Sequence, residues 1–267
     1  MVRRKNVIAI MSPKGGVGKT VTTANLAAAL ATEFNKKVLA IDTNISTSSL
    51  GLHLDIFYPK KTIHDVLNKK FKVKEAIHIY HENLHVIPAS IKVKKKDKNI
   101  YDLRKNVQKI VNYYDSVLKE VYKEYDLILL DCAPGFDIET IAALQVSGAL
   151  LLVTNPEYPS IVTAIKAVEY AKKSNLPVGG IVLNKVANKK YELKKEDIES
   201  ILKIKVIEKI PNDKRVPESI AKKIPVVLFK PYSKASIAYK KLAASLIGKT
   251  YKKPSILKRF IKIKNKE

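Results

Sequence analysis

Residues 6–34 run from an apolar segment, NVIAIM (6–11), through the loop SPKGGVGKT (12–20) into a stretch rich in alanine and leucine. That order constrains the chain more than any other feature in it. Gly15, Gly16 and Gly18 allow successive backbone N–H groups to turn inward toward an anion. A helix starting directly after the loop adds the positive end of its dipole at the same place. Lys19 is spaced to reach the β- and γ-phosphates of a nucleotide, and the Thr20 hydroxyl to ligate Mg²⁺. Val17 and Val21 add backbone N–H groups to the same cradle. Strand, phosphate loop and helix in this order open a P-loop fold. Two residues depart from the usual pattern. Pro13 stands where the opening glycine is expected, and Lys14 is a second lysine that the chemistry of one loop does not require.

The rest of the chain repeats the alternation. KVLAID (37–42), LHVIPA (84–89), YDLILLD (125–131), ALLLVTN (149–155), VGGIVLN (178–184) and KVIEKIP (205–211) read as further strands. Most are continuously apolar, as strands buried on both faces are. Between them, Leu103, Val107, Ile110, Val111, Tyr114, Val117, Leu118 and Val121 recur at helical spacing. These segments predict an α/β fold: one doubly wound, mostly parallel sheet flanked by helices over residues 1–250. A ligand is then expected at the carboxyl ends of the strands. IKVKKKDKNIYDL (91–103) has few apolar anchors and reads as a basic surface loop.

Composition narrows the function classes. No apolar run approaches the roughly 18 residues of a membrane span, and the apolar run after the N-terminus is too short for a signal peptide, so a cytoplasmic protein is expected. Cys132 is the only cysteine, which excludes an internal disulfide and any CxxC metal or redox site. HIYHENLH (78–85) gathers three histidines, but strand- and turn-like residues do not bring His78, His81 and His85 onto one helix face; they read as solvated or packed. The net charge is +25, with 45 lysines against 5 arginines. Two compatible readings follow: a compositional bias of hyperthermophilic character, or an anionic surface as partner, met by diffuse attraction.

The unit KGGVGKT (14–20) resembles the deviant Walker A motif of the MinD/ParA family of ATPases, and the resemblance extends over nearly the whole chain. It implies ATP and Mg²⁺ as ligands, ATP hydrolysis as the reaction, and a homodimer sandwiching two nucleotides in which Lys14 serves the neighbour's phosphates. VLAIDTNISTSSLGLHL (38–54) is similar to the family's switch I, so Asp42 is implied near Mg²⁺ and the γ-phosphate. Asn44 stands where an aspartate associated with hydrolysis is usual, which implies slow or partner-stimulated turnover with binding retained. YDLILLDCAPGFDIET (125–140) resembles Walker B and switch II. Asp131 is thereby implied in holding Mg²⁺, and the Gly135 backbone in sensing the γ-phosphate. Cys132 reads as a small buried hydrophobe. Asn184 stands where the family reads the adenine edge; from the residues alone it is equally a strand-end cap. Pro211 and Asp213 match the segment bordering the base. Val21 replaces a second threonine, removing a side-chain contact to the α-phosphate.

After residue 250 the sequence changes character. KKPSILKRFIKIKNKE (252–267) places Ile256, Leu257, Phe260, Ile261 and Ile263 on one helical face, with Lys258, Arg259 and Lys262 opposite. Residues 251–267 therefore read as a basic amphipathic tail suited to an anionic membrane surface, similar to the membrane-targeting sequence of MinD-like members. Residues Ile256, Leu257, Lys258, Arg259, Phe260 and Ile261 are its expected contacts. The implied function is an ATPase that joins the membrane as an ATP-bound dimer, positions cell-division or other polar machinery, and is released by hydrolysis. An activating or cargo protein is implied as well. ParA-like members, which bind DNA nonspecifically through basic patches, are the alternative, and an ATP-gated adaptor with little turnover is a third reading.

Overall fold

The computed structural model describes residues 3–45, 48–90 and 106–254. The basic stretch 91–103, Leu103 with it, and the tail residues Ile256 to Ile261 lie outside the described residues.

All seven apolar segments form strands: β1 (Arg4–Met11), β2 (Val38–Asp42), β4 (Leu84–Ile87), β5 (Leu127–Asp131), β6 (Ser147–Thr154), β7 (Val178–Val186) and β8 (Val206–Pro211). An eighth, β3 (His78–His81), completes a sheet of order β3-β4-β2-β5-β1-β6-β7-β8. β3 runs antiparallel to β4, and every other pairing is parallel. The histidines of this edge hairpin have separate partners. His78 Nε2 lies 2.9 Å from the Lys61 carbonyl oxygen, and His85 Nδ1 lies 2.8 Å from the Tyr125 hydroxyl.

The continuous apolar runs follow from burial on both faces. Along β1, Val7, Ala9 and Met11 enter one core while Ile8 and Ile10 enter the other. Leu39 and Ile41 of β2 and Ile128 and Leu130 of β5 join the first core; Ala40 and Leu129 join the second. Each fully buried side chain of this size contributes about 1.5–3 kcal/mol of transfer free energy. Helix α1 (Lys19–Phe34) packs in the second core, where Ala24, Ala27, Ala28, Ala29 and Ala31 are all buried. Small side chains let its axis approach the strands closely. The terminal helix α9 (Lys234–Leu246) lies beside α1, and Lys240 of α9 pairs with Glu33 of α1 at 2.7 Å.

The first core is covered by α2 (Ile63–Leu67), α3 (Val107–Val121), α4 (Ile138–Val146), α5 (Tyr158–Lys173) and α6 (Lys195–Leu202). The expected apolar face of α3 is buried throughout, from Ile110 to Val121. Asn106 caps this helix, its side chain accepting from the Gln108 and Lys109 N–H groups, a cap worth about 1 kcal/mol. Two short helices, α7 (Arg215–Ala221) and α8 (Val226–Phe229), join β8 to α9. No helix among the described residues is long and apolar enough to cross a membrane.

Candidate nucleotide site

Parallel pairing brings the ends of β1, β2, β5, β7 and β8 to one edge of the sheet, where a cleft of about 710 Å³ opens. Its walls include Gly15, Gly16, Gly18, Lys19, Thr20 and Val21 from the loop after β1, Asn44, Asn184, and Pro211 with Asp213. Val216, Pro217 and Ile220 of α7 form an apolar wall. One side of the cleft is thus a polar loop at a helix N-terminus, and the other is flat and apolar enough for a base.

Gly16 (φ 76°) and Gly18 (φ 96°) hold left-handed conformations that turn the loop. A Cβ on Gly18 would overlap Asn184 Nδ2, so that position admits glycine alone. α1 begins at the next residue with no side-chain cap and no acidic residue in its first turn. Its first N–H groups are left for an external anion. The Lys19 ammonium is largely buried and makes no hydrogen bond or ion pair among the described residues. Burial lowers its pKa, opposed by the Asp131 charge. A buried cation beside unpartnered N–H groups is a site shaped for phosphate.

Asp131 ends β5 with 1% exposure. Its Oδ1 accepts from the Thr23 hydroxyl at 3.0 Å, while Oδ2, also buried, accepts no hydrogen bond among the described residues. Burial pushes its pKa up to about 6 against Thr20, the Lys19 charge and Thr23. An orphaned carboxylate oxygen near the Thr20 hydroxyl is a donor set that fits Mg²⁺, a hard cation taking oxygen ligands. The Thr20 hydroxyl lies 3.1 Å from Ser49 Oγ.

Asp42 does not share this arrangement. It is the register partner of Asp131 across β2 and β5, yet its oxygens are already engaged. Oδ1 accepts from the Asn44 N–H at 3.0 Å; Oδ2 accepts from the Ser48 hydroxyl at 2.9 Å and from the Ser49 and Leu50 N–H groups at 3.1 Å each. Burial and the neighbouring Asp131 charge push its pKa up to about 7, opposed by those same donors. In this structure Asp42 holds the loop after β2, with Oδ1 accepting one hydrogen bond and Oδ2 three.

Gly135 follows β5 in a left-handed conformation, φ 83°. Its N–H donates to the Ser12 carbonyl at 3.1 Å and must leave that partner before it can meet a phosphate. Asp213 borders the cleft, but its carboxylate accepts from the Arg215 N–H at 3.0 Å and the Ala235 N–H at 3.1 Å, tying α7 to α9. Cys132 is buried, and its thiol is pushed up to about 12 by burial and the Asp131 charge. Lys14 points away from its own loop, with Nζ 3.5 Å from Glu157 and 3.4 Å from the Ser160 hydroxyl. Its side chain is 43% exposed.

Three elements fix the backbone around Asn44. The Tyr114 hydroxyl of α3 donates to the Thr43 carbonyl at 3.1 Å, and Glu139 of α4 accepts from the Ile45 N–H at 2.9 Å. The Ser90 N–H donates to His64 Nδ1 at 3.0 Å, so Nε2 carries the proton and donates to the Ile45 carbonyl at 2.9 Å. Sequence reasoning missed Tyr114, His64 and Glu139. Each contacts a backbone group, which leaves no trace in the residue that it holds.

A family model described as an AAA domain matches residues 5–177. The crystal structure of the cell division ATPase MinD of Pyrococcus furiosus superposes with a TM-score of 0.82 at 31% identity, covering 92% of this chain and 99% of that one. The chain belongs to the MinD/ParA family of P-loop ATPases. A second MinD structure, from Pyrococcus horikoshii in complex with Mg-ADP, gives a TM-score of 0.81 at 31% identity over 92% of this chain and 96% of that one. An ATP-binding protein of Methanocaldococcus jannaschii is 36% identical over 242 residues, covering 91% of this chain and 88% of that protein. In this member of the MinD/ParA family, the cleft at the strand ends brings together the glycine loop, Lys19 and Thr20.

Proposed function

We propose that this ATPase binds Mg-ATP in the cleft, dimerises face to face in the ATP state, and resides on an anionic membrane as that dimer. There it positions cell-division or other polar machinery until hydrolysis releases it. The observation that carries this reading is the pair of lysines in one loop. Lys19 is buried within the cleft, whereas Lys14 is half-exposed on Glu157 and Ser160, outside its own phosphate cradle. A lysine of the loop turned away from its own nucleotide cradle supports a role on another subunit's nucleotide.

Within one subunit, the Gly15–Val21 loop and Lys19 bind and orient the phosphates. Thr20 and the free oxygen of Asp131 hold Mg²⁺, which when bound neutralises charge on the transferring phosphoryl group. Asn184 faces the base, beside Pro211 and the apolar wall of α7. Asn44 lines the cleft, fixed by Tyr114, His64 and Glu139. An amide there orients water through hydrogen bonds but does not take a proton, so turnover is slow until a partner protein completes the site.

The tail supplies the conditional anchor. Each basic residue near an anionic surface is worth about 1 kcal/mol, but ordering a short helix there costs much of that gain, so one tail binds weakly and two tails on a dimer gain by avidity. Residues 250–267 carry seven basic groups and one acidic, a net +6, leaving +19 on the body. That residual charge favours a second reading, nonspecific binding of DNA by the dimer. Co-sedimentation with anionic liposomes separates the two. Binding is expected with ATP but not ADP, and is expected to vanish on deleting residues 254–267 or on changing Phe260 and Ile261 to Asp. Liposome binding that ignores both nucleotide and tail, alongside DNA binding that falls steeply with salt, would replace the membrane reading.

A further inference from the structure

Asn184 and Lys185 are consecutive in β7, yet both side chains reach the phosphate loop. On a regular strand, neighbours point to opposite faces. The ladder with β8 accounts for the exception. Leu183 pairs with Lys209 and Val186 with Pro211, so three steps along β7 match two along β8. Lys185 holds φ 57°, a left-handed conformation. An extra residue in that conformation makes a bulge, a device that re-aims side chains beside active sites. Lysine rarely adopts it.

The bulge brings two donors to two successive carbonyls. Asn184 Nδ2 donates to the Val17 carbonyl at 2.7 Å, and Lys185 Nζ donates to the Gly16 carbonyl at 2.9 Å. In a planar trans peptide, the C=O of one residue and the N–H of the next point in opposite directions. Drawing the Gly16 and Val17 carbonyls toward β7 therefore turns the Val17 and Gly18 N–H groups the other way, into the hollow of the loop. Those groups are the ones a phosphate-binding nest requires. Left untethered, a loop with left-handed glycines at 16 and 18 samples peptide orientations that aim carbonyl oxygens at the anion.

We infer that Lys185 is a positioning residue of the nucleotide site: seated on the Gly16 carbonyl, its ammonium pre-orients the N–H groups that receive the phosphates. The inference rests on the nucleotide reading of the cleft and adds to it a residue outside the loop. Pre-organisation of this kind acts on affinity, because the orienting cost is met before the ligand arrives.

Calorimetric titration of the full chain with Mg-ADP and with AMP tests it, using Lys185→Met, Lys185→Arg and Lys185→Gly. Loss of one charge-assisted hydrogen bond is expected to weaken ADP binding by about tenfold in Lys185→Met. AMP, which lacks the β-phosphate, is expected to change less than about twofold, since only the cradle is disturbed. Lys185→Arg restores the donor and most of the affinity. Lys185→Gly is at ease at φ 57° but has no ammonium, so it should bind as weakly as Lys185→Met. The inference is overturned if Lys185→Met binds ADP like the parent, or if Lys185→Gly does. It is also overturned if ADP and AMP weaken equally, which would place Lys185 at the nucleoside. A parent chain that binds no ADP would instead remove the nucleotide reading itself.

Discussion

Asp42 and Asp131 face each other at the ends of β2 and β5, and each raises the cost of ionising the other. Their pKa values, about 7 and about 6, lie well above an ordinary aspartate. The folded, metal-free chain therefore holds more protons than the unfolded chain between roughly pH 4 and pH 7. That contribution to stability is fully present below about pH 4 and is lost as pH rises through the two folded values. The melting temperature of the Mg²⁺-free protein is expected to fall from pH 5 to pH 8, and Mg²⁺ to raise it more at pH 8 than at pH 5. Asp131→Asn is expected to flatten the fall. Glu139 acts at one remove from chemistry, through the Ile45 N–H. Glu139→Gln weakens an acceptor without changing its shape, so single-turnover hydrolysis should slow by about tenfold while ADP affinity stays within about twofold, following loss of one charge-assisted bond.

At the scale of elements, the strands declared themselves because burial on both faces demands unbroken apolar runs such as LILL and ALLLV. The apolar face of α3 did so by its period. β3 shows in the sequence only as strand- and turn-like residues: HIYH is a four-residue edge strand with exposed positions, and its pairing is fixed by the turn into β4. The P-loop was legible because glycine is the one residue whose backbone freedom shows in the sequence. Lys185 was not, since its left-handed bulge depends on register with β8, and Asp42's donors are mostly backbone N–H groups that any residue carries. Two consequences follow for elements. Gly18→Ala combines a left-handed φ with overlap on Asn184, and should abolish measurable ADP binding while the chain still folds. Lys240 of α9 is fully buried and pairs with Glu33 of α1. Lys240→Met removes one charged partner of that carboxylate and should lower unfolding free energy by about 2 kcal/mol in urea titration, with Glu33→Gln in the same chain recovering most of the loss.

For the whole molecule, the sheet gathers the glycine loop, Asp131 and the apolar face of α7 at one edge, with Lys14 turned toward Glu157 and Ser160. The resemblance of KGGVGKT to the deviant Walker A motif carried the family and the fold, and the geometry adds how each carboxylate is held: Asp131 Oδ2 has no hydrogen bond among the described residues, whereas both Asp42 oxygens accept one or more. The proposed dimerisation links the scales: Lys14 would act in it, and membrane residence would follow from two tails instead of one. Light scattering on a size-exclusion column measures it directly. A single chain has a mass of 29.9 kDa. With Mg-ADP the protein is expected at that mass; with Mg-ATP it is expected at twice that mass, about 60 kDa, since two chains assemble. Lys14→Ala is expected to bind ADP normally and to remain monomeric with ATP. A parent chain of the same mass in both nucleotides, or a Lys14→Ala chain that dimerises fully, would contradict the account.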